Sequence, residues 1–258
     1  MAGESLKIDV RRKRILELLD REGQVRVAQL SEILGATVVT IRSDLAALER
    51  NGYLERIPGG AVQTVKNYYN LEFQRRKQEH MEYKRAIASA ASGMVNDGET
   101  LLINSGTTTF FTAVELKRHK NLNIVTNSIS VALELGEYPT FRVILLGGEI
   151  NPQYSFTYGN DAIQQLKNYK ADKAILSIDG IHSEIGLTTY HAEEAIIDKL
   201  MMERARKTVI VADYTKLGHE SFANVGAISN AHSWITNDCA DKQLLNEIKA
   251  VGMEVIIA

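Results

Sequence analysis

At 258 residues the chain exceeds one small domain, and its formal net charge of −2 excludes a protein coated in positive charge. Hydrophobic and charged fractions of 45% and 24% are those of a soluble globular protein. No apolar run approaches the roughly 20 residues of a membrane helix. The single cysteine, Cys239, excludes an internal disulfide or a cysteine-based zinc site, and the six histidines lack metal-ligand spacing, so no metal or cofactor is expected. The opening MAGESLKIDVRRKR lacks the apolar core of a signal peptide, and the expectation is a cytoplasmic protein.

The first unit is predicted over residues 1–65. Ile15, Leu18 and Leu19 recur at helical spacing in VRRKRILELLDREG and describe an amphipathic helix ending near Gly23. QVRV is a short alternating piece. AQLSEILG is a second short helix burying Leu30, Ile33 and Leu34 before Gly35. In ATVVTIRSDLAALERNG, Thr37 can cap a third helix whose apolar stripe is Ile41, Leu45 and Leu48, with its end near Asn51-Gly52. The opposite side carries Val39, Arg42, Ser43 and Ala46, with Thr40 on the flank; this face is small, hydroxyl-bearing and cationic. YLERIPGGAVQT reads as two strands around a Pro-Gly-Gly turn. The order of elements is that of a winged helix-turn-helix.

Residues 1–64 hold ten Lys or Arg against nine Asp or Glu, so DNA binding has to rest on where charges sit. Arg42 can donate two hydrogen bonds to guanine or pair with phosphate. Arg11, Arg12, Lys13 and Arg14 open the first helix where backbone phosphates could be met, the plain alternative being a solvated helix start. Arg56 sits at the wing, beside the turn glycines Gly59 and Gly60.

Residues 66–83 show no clean period and a basic cluster at Arg75, Arg76 and Lys77, and are read as a linker. From residue 84 to 258, apolar runs (TLLI, LNIVT, FRVILL, DKAILSI, TVIVA, SWIT, MEVII) alternate with amphipathic segments, the pattern of an α/β domain with a mostly parallel sheet covered on both faces. Ligands of such sheets sit at the carboxyl ends of the strands. There NSGTTT offers Asn104, the hydroxyls of Ser105, Thr107, Thr108 and Thr109, amides freed by Gly106, and a helix start, which together make an anion site. Lys216 in DYTKLG adds a cation at the same rim. Gly147, Gly148 and Glu149 end another strand, the alternative there being a tight turn. Asp179 with Gly180, and Glu193 and Glu194, supply carboxylates that could accept sugar hydroxyls; for the two glutamates the alternative is helix N-terminal electrostatics. The polarity fits a small phosphorylated polyol, and no G-x-G-x-x-G points to a dinucleotide.

Over essentially its whole length the sequence resembles the DeoR family of bacterial sugar-metabolism regulators. The resemblance rests on RRKRILELLDREGQVRVAQLSEILGATVVTIRSDLAALERNGYLERIPGGAV and then, in order, NSGTTT, VTNS, LLGGEI, DGI, GLTT and DYTKLG. It implies a transcriptional regulator, usually a repressor of a carbohydrate operon. It also implies a sensor domain like the ribose-5-phosphate isomerase sheet and a phosphorylated sugar effector. The third helix would be the recognition helix for operator DNA, and Ser105 to Thr109, Asn127, Gly147, Gly148, Asp179 and Lys216 would line the effector pocket. Thr37 stands where the family usually has serine, and Ser43 where it often has a second arginine. The segment DGIHSEIGLTTYHAEEA looks more like regulators of amino-sugar or hexitol pathways. A recognition helix reads a second half-site only through a second copy, so a homo-oligomer is expected. Two alternatives stand beside the regulator: a sugar-phosphate isomerase using Asp179 and Glu149, and a DNA-binding protein with a purely structural oligomerisation domain.

Overall fold

The computed structural model describes residues 2–50, 53–62 and 73–258. The chain forms two compact units, Met1–Glu72 and Phe73–Ala258. The expected end of the third helix at 51–52 and the chain from 63 to 72 lie outside the described residues.

In the first unit, α1 (Ala2–Glu22), β1 (Gln24–Arg26), α2 (Val27–Leu34), α3 (Val38–Arg50), β2 (Glu55–Ile57) and β3 (Gly60–Val62) follow one another as expected. The short sheet has the order β1-β3-β2. Ile15, Leu18, Leu19, Leu30, Ile41, Leu45 and Leu48 share one core. Ile33 is a correction: it is 50% exposed, because α2 has only eight residues and turns that side outward. Gly35 ends α2 in the left-handed conformation, at φ 60°, which a side chain would resist.

The expected linker overruns into the second unit. Residues 73–78 are helical and Phe73 is buried edge-on against Phe110, at 6.0 Å between ring centroids. Residues 73–83 therefore belong to the second unit. α4 (Met81–Gly93) follows.

All seven apolar runs become strands of one parallel sheet: β4 (Thr100–Ile103), β5 (Asn123–Thr126), β6 (Arg142–Leu145), β9 (Ala171–Leu176), β12 (Ala205–Val211), β14 (Ser233–Thr236) and β15 (Glu254–Ile257). Their order is β15-β14-β12-β9-β4-β5-β6. Successive strand residues face opposite ways. Leu101, Ile103, Ile124, Ile175 and Val209 pack under α4, α5 (Thr107–Leu116) and α6 (Ile129–Gly136). Leu102, Val125, Ala174, Leu176 and Ile210 pack under α7 (Asn160–Leu166), α8 (Ala192–Arg204) and α9 (Lys242–Ala250). The sequence loops also hide small antiparallel pieces: a hairpin of β7 (Glu149–Asn151) and β8 (Phe156–Tyr158), and a sheet of β10 (Gly180–His182), β11 (Gly186–Thr189) and β13 (Ala223–Gly226).

Strand order positions the site. From β4 the chain winds outward through β5 and β6, then returns to β9 and winds the other way through β12, β14 and β15. β4 and β9 are therefore the point where the winding reverses, and a crevice opens beyond their carboxyl ends.

Candidate functional site

On α3, Val39 is 76% exposed, Arg42 and Ser43 are exposed, and Thr40 and Ala46 are half-buried, opposite the buried Ile41, Leu45 and Leu48. Thr37 Oγ1 accepts the Thr40 amide at 3.2 Å and so caps this helix. Among the described residues Arg42 has no ion-pair partner. Arg11 and Arg12 are committed differently: each donates its Nε–H to one oxygen of buried Asp44, which ties α1 to α3. Lys13 is exposed, Arg14 pairs with Glu17, and Arg56 pairs with Glu49 on the surface. Gly59 is exposed at the wing turn. Gly60 is buried, and a Cβ there would lie 2.1 Å from the Val25 carbonyl oxygen. The reading of Gly60 as a wing-turn glycine is thus corrected: it opens β3, and its lack of a side chain lets β1 and β3 approach.

In the second unit the crevice between β4 and β9 holds two adjoining hollows. Ser105, Gly106, Thr107, Ser177, Asp179 and Glu194 line one; Thr107, Thr108, Lys84, Lys216, Asp213 and Thr215 line the other; Arg76 borders both. A Cβ on Gly106 would lie 2.6 Å from the Ser177 Cβ, so glycine is what lets the loop after β4 reach the end of β9. The first-turn amides of α5 have no partners within the helix, and Thr107 and Thr108 of that turn line this space.

Asn104 is buried and acts as a clasp. Its Oδ1 accepts the Ser177 amide at 2.9 Å, while its Nδ2 donates to the Ser177 carbonyl at 2.8 Å and to Asp198 at 3.0 Å. Thr109 turns its hydroxyl back to the Asn104 and Gly106 carbonyls, at 3.1 Å each. These two shape the cradle and do not line it. Asn127 donates to the Thr157 carbonyl and fixes the loop after β5. The Gly147 amide bonds Gln165, a Cβ on Gly148 would lie 2.3 Å from the Tyr158 carbonyl oxygen, and Glu149 is exposed at the start of β7. Neither hollow is lined by these four residues, which is a correction whose cause is the β7–β8 hairpin. Gly180 is also packed away, with the His219 carbonyl oxygen 2.4 Å from a would-be Cβ.

Asp179 sits at the centre. Its Oδ1 accepts from Arg76 at 2.7 Å and has Lys216 Nζ 4.0 Å away. Its Oδ2 accepts from the Thr189 hydroxyl and the Tyr190 amide, both at 3.1 Å. Burial alone would raise this carboxyl, but Arg76 and Lys216 override it and hold Asp179 below the ordinary aspartate value. Glu194 behaves oppositely. It is buried, accepts from Ser105 and Thr189, and burial together with Asp179 raises it to about 7. Asp198, one turn further along α8, is pushed well up by burial and by Glu194, and among the described residues its Oδ2 has no hydrogen-bond partner. Glu193 is exposed on the first turn of the same helix. Lys84 is buried with its Nζ donating to the carbonyls of Arg76 and Glu79; burial lowers it to about 8.

Residues 11–66 match the DeoR-like helix-turn-helix domain, and residues 79–238 match the DeoR C terminal sensor domain. The chain belongs to the DeoR family. This DeoR-family protein joins a DNA-binding helix-turn-helix to a sensor domain. The HTH-type transcriptional regulator GolR of Listeria innocua is 32% identical to it over 96% of this chain and 98% of its own. The glycerol-3-phosphate regulon repressor of Escherichia coli strain K12 is 32% identical over 87% and 88% of the two chains. Ribose 5-phosphate isomerase A of Methanocaldococcus jannaschii shares 16% identity over 54% of this chain and 55% of its own, at a TM-score of 0.40.

Sequence reasoning missed Arg76, Lys84, Ser177 and Asp198 in this DeoR-family sensor. Arg76 was visible only as one of three consecutive basic residues. The signal that could have found Asp198 is its spacing from Glu194, which puts both on one face of α8. Among the described residues no helix is long and apolar enough to cross a membrane.

Proposed function

We propose that this regulator represses a carbohydrate-catabolic operon and is controlled by a phosphorylated sugar bound in the crevice of its second unit. The observation that carries the reading is a pairing. An outward helix face whose arginine has no ion-pair partner among the described residues stands in one unit, and a hollow bordered by a helix start, Lys84 and Lys216 stands in the other. Phosphate would meet the α5 amides, the hydroxyls of Thr107 and Thr108, and Lys216; the sugar hydroxyls would face Asp179 and Glu194. Val39 suits a thymine methyl, and Arg42 suits guanine or phosphate. A homo-oligomer places two such helices on two half-sites.

Catalysis by the Asp179 and Glu149 pair is disfavoured by geometry, because Glu149 stands on β7 and does not line either hollow. Asp179, already ion-paired, serves better as an acceptor than as a base. Calorimetry of the whole chain with sugar phosphates and their unphosphorylated parents tests the proposal. Binding confined to phosphorylated compounds is expected. Equal binding of both classes, or of neither, would sink it.

A further inference from the structure

The segment that opens the second unit, residues 73–80, is built into the sensor crevice. Phe73 packs on Phe110, Lys77 Nζ stands 3.9 Å from the Phe110 ring centroid, and His80 touches the rings of Tyr83 and Tyr214. Between these anchors Arg76, three-quarters buried, reaches Asp179, and its guanidinium lies 5.7 Å from the Tyr154 ring centroid. Lys84 holds the segment from below through the carbonyls of Arg76 and Glu79.

Three cations and two carboxylates, Asp213 and Glu79, line the hollow beneath this segment. Arg76, Lys84 and Lys216 converge on one hollow, where Asp213 favours the charge on Lys84 and Arg76 and Lys216 disfavour it. Asp213 faces the same hollow, with its Oδ1 accepting from the Thr215 amide and hydroxyl. Glu79, exposed, also borders it. Among the described residues Lys84 has no carboxylate ion-pair partner. A dianion entering there would meet all three cations at once. Asp179 is arranged to tolerate the loss of Arg76: Oδ2 keeps its two donors, and Oδ1 becomes an acceptor for a ligand hydroxyl.

We propose that Arg76 and Lys84 are effector-binding residues, and that Arg76 exchanges its ion pair with Asp179 for the effector phosphate, so that segment 73–80 reports occupancy of the crevice. This rests on the sensor reading above. Because residues 63–72 connect this segment along the chain to the helix-turn-helix unit, its rearrangement is the covalent route by which occupancy can reach the DNA-binding unit.

The test uses the full chain and four probes: inorganic phosphate, glucose 6-phosphate, fructose 6-phosphate and glycerol 3-phosphate. Affinities come from calorimetry, and hydrogen exchange is followed over residues 73–84. For the tightest probe, Arg76→Ala and Lys84→Met are expected to weaken binding at least about tenfold, Arg76→Lys to recover part of the loss, and wild-type exchange in 73–84 to change on binding. A folded Arg76→Ala variant with wild-type affinity, or unchanged exchange in 73–84 when wild type is saturated, would overturn the proposal while leaving the sensor reading intact. If Lys84→Met fails to fold, the Arg76 variants and the wild-type exchange still decide. Failure of wild type to bind any of the four would overturn the sensor reading and this proposal together.

Discussion

Arg42 and Arg76 carry the same charge in opposite settings. Arg42 stands exposed on α3 with no ion-pair partner among the described residues, and Arg76 is three-quarters buried and held by Asp179 at 2.7 Å. An exposed, unpaired guanidinium can meet an external polyanion without disturbing the fold that carries it. A buried, paired one cannot engage a ligand without changing its surroundings, and that is what a sensor needs and a DNA-reading face does not.

The comparison can be broken most severely at the clasp beneath the sensor. Asn104→Ala removes bonds to both backbone groups of Ser177 and to Asp198, and is expected to cost on the order of 3 kcal/mol in the unfolding of the second unit. Calorimetric scanning would show that transition lowered, and an unchanged transition would mean the clasp is decorative. Arg42→Ala should weaken binding to a DNA site selected by the wild-type chain roughly 10- to 100-fold, from a contact of about 1–3 kcal/mol. Sugar-phosphate affinity should stay as in wild type. Loss of both, or of neither, would erase the distinction between the two arginines.

A smaller effect concerns Glu194, which faces Ser105, Thr189, Asp179 and Arg76, with Asp198 beside it on α8. Its carboxyl is raised from 4.5 to about 7 by burial. Between those values the unfolded chain loses this proton and the folded chain keeps it, so stability falls as pH rises across that window and stays reduced above it. Glu194→Gln should flatten part of this slope and raise stability at about pH 8 by roughly 1–2 kcal/mol, Asp198 contributing what slope remains. Denaturant unfolding at about pH 5 and about pH 8 reads the effect, and an unaltered slope would show that Glu194 ionises normally.

The helix-turn-helix was legible because its signals are local. The stripe Ile41, Leu45 and Leu48 and the cap Thr37 are read within one helix, and the seven sheet strands announce themselves as short apolar runs. Strand order is not local, so the reversal between β4 and β9 stayed invisible. With it went the reason Asn104 and Gly106 meet Ser177. Arg76 was hidden because its segment has no period and only Phe73 anchors it by burial. No local pattern pointed to Asp44, which draws in Arg11 and Arg12 from α1, across thirty-three and thirty-two residues of sequence. Glycines carry a second meaning in both units: Gly60 and Gly148 mark close backbone approaches.

The central claim is that one crevice senses a phosphorylated sugar and alters the grip of α3 on DNA. The most direct measurement is the affinity of the full chain for its selected DNA site, titrated with sugar phosphates and compared with Lys216→Ala. The account expects at least one phosphorylated compound to shift the wild-type affinity by about 5- to 150-fold, with the shift blunted in Lys216→Ala and DNA affinity unchanged without the compound. A wild-type affinity that no sugar phosphate alters, or an undiminished shift in Lys216→Ala, would contradict it.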